Sequence, residues 1–139
     1  MAKEKILVSA CLLGENCRYN GKTKKSDRVC VFAKGFEFIA VCPEVLGGLP
    51  IPRNPVEIQD GKAIDNKGND LTKEFNDGAE EVLKIAKKNN IKKAILKQCS
   101  PSCGSGQLTM LDLSIIEGDG LTAKLLKENG IEVISEEDL

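Results

Sequence analysis

The sequence predicts an α/β protein: a single domain spanning residues 1–139, with a small, mainly parallel four-stranded sheet flanked by helices, Rossmann-like or flavodoxin-like in type, plus a small hairpin insertion. Three observations predict it. Short continuous apolar runs, the mark of strands buried on both faces, recur along the chain. Helical patterns alternate with them, and that order is the signature of a parallel sheet. A length of 139 residues suffices for one domain with a real core and is short for two.

The elements follow in order. "KILVSAC" (Lys5–Cys11) is a buried strand, and "LLGENCRYNGKTKKSD" after it is a polar, glycine-bearing loop. Ser26–Gly35 reads as a short helix, with Ser26 as N-cap and Gly35 as its stop. Phe36–Val45 reads as a second strand broken by Pro43. A proline-rich extended stretch leads into "VEIQDGKAID", a hairpin turning at Asp60-Gly61. Between Asp70 and Asn90, apolar residues at Leu71, Phe75, Ala79, Val82, Leu83 and Ala86 keep helical spacing, with Asp70 at the start and Lys87 and Lys88 at the end. Lys92–Cys99 is the third strand, Gly118–Gly130 a helix between two glycine signals, and Ile131–Ser135 the fourth strand.

Composition narrows the chemistry. Twenty basic and twenty-one acidic residues leave a net charge of −1, which does not suggest a general nucleic-acid or membrane binder. The N-terminal apolar run is too short for a secretory signal and no stretch reaches membrane-span length, so a cytosolic location is expected. The chain has six cysteines and no histidine. The missing histidine excludes Ser-His-Asp and Cys-His catalytic pairs, Cys-His zinc sites and Rieske-type centres. Proton transfer must then use carboxylates, hydroxyls, thiols or lysine.

The cysteines are arranged. Cys11 ends the first strand, Cys42 ends the second, and Cys99 and Cys103 follow the third. In such sheets ligands bind beyond the carboxyl ends of the strands. A single buried cysteine is usually an inert core residue, but three at coincident strand ends point to a metal or cluster site with one ligand per loop. There is no Cys-x-x-Cys pair, so a zinc ribbon or a thioredoxin-type motif does not fit. Cysteine-rich, histidine-free ligation suits an iron–sulfur cluster. Three thiolates on a [4Fe-4S] cluster leave one iron open as a Lewis acid. Cys17 and Cys99 are rivals for a fourth position, which would close the cluster and favour electron transfer or a structural role. Cys99 can equally point into the core from the strand end, and Cys30 reads as core.

Other side chains join these. Glu44, two residues past Cys42 and behind a proline that sets the turn, is the best-placed general acid or base. Ser100 and Ser102 flank Pro101, with proton relay or substrate contact as their functional reading and bonding of loop backbone as the ordinary one. Arg18, Tyr19 and Arg53 can meet an anionic or aromatic substrate, or simply be surface residues. The glycines of "LGG" and "GSG" permit close backbone approach. Gly118–Gly120 is a helix start rather than a phosphate loop.

Three segments in order, "VSACLLGENCRYNGK", "VCPEVLGGLPIPR" and "SPSCGSG", resemble the thiouracil desulfidase family. The resemblance covers nearly the whole chain. It implies a [4Fe-4S] cluster held by Cys11, Cys42 and Cys103. It also implies an open iron that takes the thiocarbonyl sulfur of a small thiolated pyrimidine, with Glu44 and Ser100 assisting protonation and activating water. The products would be uracil or uridine and sulfide, with no net redox change. A non-catalytic metal- or cluster-binding protein, and a metal-free thiol sulfur carrier, are the readings that compete with it.

Overall fold

The computed structural model describes residues 4–14 and 25–139. Four strands form one parallel sheet: β1 (Lys5–Ser9), β2 (Glu37–Val41), β5 (Lys93–Leu96) and β8 (Glu132–Ser135), in the order β2-β1-β5-β8. Counted as sheet strands this is 2-1-3-4, the flavodoxin-like order. The chain leaves β1 toward one edge and returns to its other side through β5, so the switch point lies between β1 and β5.

β1 is buried on both faces because its side chains alternate between two apolar layers. Leu7 packs on one side with Val82 and Ala86 of α3 (Thr72–Lys88) and Leu126 of α4 (Leu121–Glu128). Ile6 and Val8 pack on the other with Val29 of α1 (Asp27–Ala33). Each fully buried Ile, Leu or Val side chain contributes about 1.5–3 kcal/mol, which is why a five-residue strand suffices. A third cluster seats Phe75 of α3 under Val56 and Ala63 of the hairpin β3 (Val56–Gln59) and β4 (Lys62–Asp65). That hairpin turns at Asp60 and Gly61 with positive φ at both, as a two-residue I′ turn requires.

Several expectations shift in detail. Ser26 caps α1 as expected, its hydroxyl accepting from the Val29 N–H. Pro43 does not merely break the second strand; it opens a one-turn helix, α2 (Pro43–Leu46), because proline needs no N–H partner at that position. The third strand ends at Leu96 rather than Cys99. The stretch after the cysteine loop, to which the sequence assigns no element, forms a second hairpin: β6 (Gln107–Thr109) and β7 (Ile115–Glu117). Among the described residues no helix is long and apolar enough to cross a membrane.

Candidate active site

The carboxyl ends of β1, β2 and β5 surround a cavity of about 360 Å3 at the switch point. Cys11 enters from a 3-10 turn (Ala10–Leu13) directly after β1, Cys42 from the N-cap of α2 after β2, and Cys103 from the loop after β5. Ser9 connects two of these ends. Its hydroxyl accepts the Lys97 N–H at 3.0 Å and donates to Cys103 Sγ at 3.6 Å. The sequence marks Ser9 only as a lone hydroxyl at the end of an apolar run, and its role is visible only in the fold.

The Cys103 loop is pinned from three directions. Ser100 Oγ accepts the N–H groups of Ser102 and Cys103 at 3.2 and 3.3 Å, and the Gly104 N–H returns to the Ser100 carbonyl at 2.8 Å. Gln98 Oε1 accepts from the N–H of Cys99 and of Ser105, while its Nε2 donates to the Ser105 carbonyl. The first amides of α4 bind the loop's carbonyls: Leu121 N–H to Pro101 and Thr122 N–H to Ser102, at 3.1 and 2.9 Å. Gly120, just before α4, lies so close that a Cβ there would sit 2.4 Å from the Ser102 carbonyl carbon. Burial pushes the Cys103 thiol well above its usual range. The Glu44 charge and Cys42 add to this, while hydrogen bonds from Ser9 and Ser100 oppose it. A thiol in that setting keeps its proton until a bound cation displaces it.

α2 brings Cys42, at its N-cap, and Glu44 into the site. Gly47 and Gly78 allow it to lie directly on α3: a Cβ on Gly78 would come within 1.9 Å of the Pro43 carbonyl oxygen, and one on Gly47 within 2.0 Å of that of Glu74. Glu44 is thereby held in the cavity wall. Its Oε2 accepts from Arg53 Nη2 at 3.2 Å and from the Cys42 thiol at 3.5 Å.

Cys11, Cys42, Cys103, Glu44, Ser100 and Arg53 all line the one cavity. Ser102, expected as a substrate contact, does not. It is fully buried, and its hydroxyl shares a hydrogen bond with Thr122 Oγ1 at 3.2 Å, so it braces the loop from behind. Arg18, Tyr19 and Cys17 lie outside the described residues. Cys30 sits away from the cavity, its thiol directed to the Leu12 carbonyl. Cys99, read as either a rival fourth ligand or a strand-end residue pointing into the core, stands past the strand with φ +64 and lines the cavity. The sequence did not point to Phe75, Met110, Leu111 and Leu113, which give the cavity apolar walls, or to Asn54 and Lys97 at its rim.

Among the described residues no group of three Cys, Asp or Glu side chains forms a shell for one metal ion. The thiols are instead spread around the cavity, each on its own loop. Thiol donors alone, in a chain lacking histidine, are the donor set of an iron–sulfur group. The residues present therefore fit such a group.

The family model for 2-thiouracil desulfurase matches residues 6–138. The uncharacterized protein YbbK of Bacillus subtilis (strain 168) is 41% identical over 146 residues, covering 96% of this chain and 97% of that protein. The solved structure of a [4Fe-4S]-dependent thiouracil desulfidase, TudS, superposes with a TM-score of 0.92 at 43% identity, covering 99% of this chain and 93% of the other.

Proposed function

Since the chain belongs to the 2-thiouracil desulfurase family, we propose that it is a desulfidase that takes the sulfur from a thiolated pyrimidine and releases it as sulfide, using a [4Fe-4S] cluster held by Cys11, Cys42 and Cys103. The observation that carries this is the meeting of three thiols from three strand ends with one buried carboxylate in a single cavity. The volume of about 360 Å3 is at the small end of ligand pockets, suited to one ring rather than a polymer.

A cluster bound through three thiolates supplies a Lewis-acidic iron with affinity for sulfur. The rest falls to side chains. Phe75, Val56 and the Met110–Leu113 hairpin tip give a planar pyrimidine an apolar berth and keep bulk water away. The Glu44 carboxylate takes a proton from water as the water oxygen bonds to the thiocarbonyl carbon. As the carbon–sulfur bond breaks, the proton returns to sulfur through Glu44, with the Ser100 hydroxyl lining the same cavity to relay it. Carbon gains an oxygen and loses a sulfur, water supplies both protons of the sulfide, and no electrons are exchanged with an outside donor.

The test is sulfide release from 2-thiouracil, 4-thiouracil and their nucleotides by anaerobically reconstituted protein. Release from at least one, dependent on bound iron, is expected; colourless, zinc-loaded protein that releases none overturns the proposal. One observation favours a second reading: Cys99 also faces the cavity and can complete a closed, non-catalytic cluster. Loss of iron in Cys99→Ala would support that reading, whereas retention with activity supports the three-ligand site.

A further inference from the structure

We propose that Arg53, expected from the sequence as a substrate contact, is a positioning residue that holds the Glu44 carboxylate in its working orientation. The inference rests on the desulfidase reading. Pro50, Pro52 and Pro55 surround Arg53, and their locked φ angles stiffen the segment that carries it, which lies outside any helix or strand. Among the described residues the side chain is fastened at two points at least. Nη1 donates to the Pro50 carbonyl at 3.2 Å, within its own segment, and Nη2 donates to Glu44 Oε2 at 3.2 Å. The guanidinium is thus braced against the chain that carries it and passes that rigidity to the carboxylate.

The pair is also dry. The side chains of Arg53 and Glu44 are 7% and 11% exposed, so neither solvent nor salt screens the contact as it would at the surface. The hydrogen bonds that the Glu44 carboxylate accepts among the described residues go to one oxygen, Oε2. The other oxygen, Oε1, is left for the water and the proton. A carboxylate fixed through one oxygen and working through the other must not rotate, and Arg53 is the group placed to prevent that. The Nη2 and Nη1 groups that hold Glu44 and the Pro50 carbonyl tie the guanidinium to the carboxylate as well as to its own segment.

The test compares Arg53→Met, Arg53→Lys, Glu44→Gln and the Arg53→Met/Glu44→Gln double variant, all reconstituted and assayed on the thiouracil the parent protein uses. A small displacement of a reacting group costs up to ~100-fold in rate. Arg53→Met should therefore lower kcat by about 10- to 100-fold while KM stays within about twofold, at unchanged iron per chain. Arg53→Lys, which restores a charge without the fork, should recover part of the loss. In the Glu44→Gln background, Arg53→Met should cost less than about twofold, because the group it positions is already gone. A crystal structure of Arg53→Met should show the Glu44 carboxylate rotated away from Cys42. A raised KM at unchanged kcat, full additivity in the double variant, or an unmoved Glu44 overturns the proposal. If Arg53→Met fails to fold, Arg53→Lys carries the same comparison. A parent protein that releases no sulfide from any substrate defeats the desulfidase reading, while the crystal comparison still decides whether Arg53 holds Glu44.

Discussion

The two walls of the cavity are built to different tolerances. On the thiol side, α2 rests on α3 with no room for a Cβ at Gly47 or Gly78, and the Cys103 loop rests on Gly120 in the same way. On the other side, the tip of the β6–β7 hairpin borders the cavity with Leu113 82% exposed, and every residue of β7 is exposed. Groups that take part in bond making must be held to within about half an ångström. The thiols and Glu44, to which the proposed reaction gives that part, sit where backbone crowding leaves one arrangement. Met110, Leu111 and Leu113, which would only give a ring an apolar surface, need no such precision, and they sit at the tip of a hairpin whose outer strand is exposed.

That contrast can be broken or sharpened by substitution. The largest effect is expected from Cys103→Ala, which should abolish both bound iron and sulfide release, measured by iron assay and sulfide formation. Glu44→Gln should keep the iron and lower kcat by about 10²–10⁴-fold, the usual size of a lost general acid or base; an unchanged kcat would remove Glu44 from the chemistry. Gly78→Ala should cost on the order of 1–3 kcal/mol or more through overpacking, seen as a lower thermal midpoint, because the new methyl meets backbone rather than a movable side chain.

Asp65 gives a milder, pH-dependent effect. It accepts from the Asn69 side chain and from the backbone of Asn69 and Lys67, and it holds the amide of Asn54 at the cavity rim. These bonds, led by that of the Asn69 side chain and opposed by burial, lower its pKa from 3.8 to about 2. Its stabilisation is therefore present above pH 3.8 and lost as pH falls toward about 2. Asp65→Asn should lower the melting temperature at neutral pH, and the gap to the parent should close across that window. Leu113→Ser should show the smallest effect, with stability changed by no more than about 0.5 kcal/mol and KM by a few-fold. A large loss of kcat in Leu113→Ser would mean that both walls belong to the chemistry.

The rigid wall was far more legible in the sequence than the loose one. Apolar runs ending in cysteine placed β1 and β2, and the order of elements then put their ends at one edge. The Asp-Gly turn marked β3–β4 because only such residues take positive φ cheaply. The β6–β7 hairpin left no comparable trace. Its strands have three residues each, β7 has no buried face to produce alternation, and its turn places Leu113 at φ +71, where leucine is uncommon. Ser102 was misjudged because sequence cannot show which way a loop hydroxyl turns, and Thr122, its partner, lies twenty residues further on. Cys99 was read as a strand end because nothing local in "ILKQC" says that pairing stops at Leu96.

The grip of α4 on the cysteine loop also sets an order of events during synthesis. The carbonyls of Pro101 and Ser102 are bound by amides of Leu121 and Thr122, and the Gln98 N–H by Glu136 Oε1 at 2.7 Å. Cys11, Cys42 and Cys103 leave the ribosome well before those partners do. The nascent chain thus exposes Cys103 before it can hold that thiol in place, and the loop takes its final shape only after residues through Glu136 have been made.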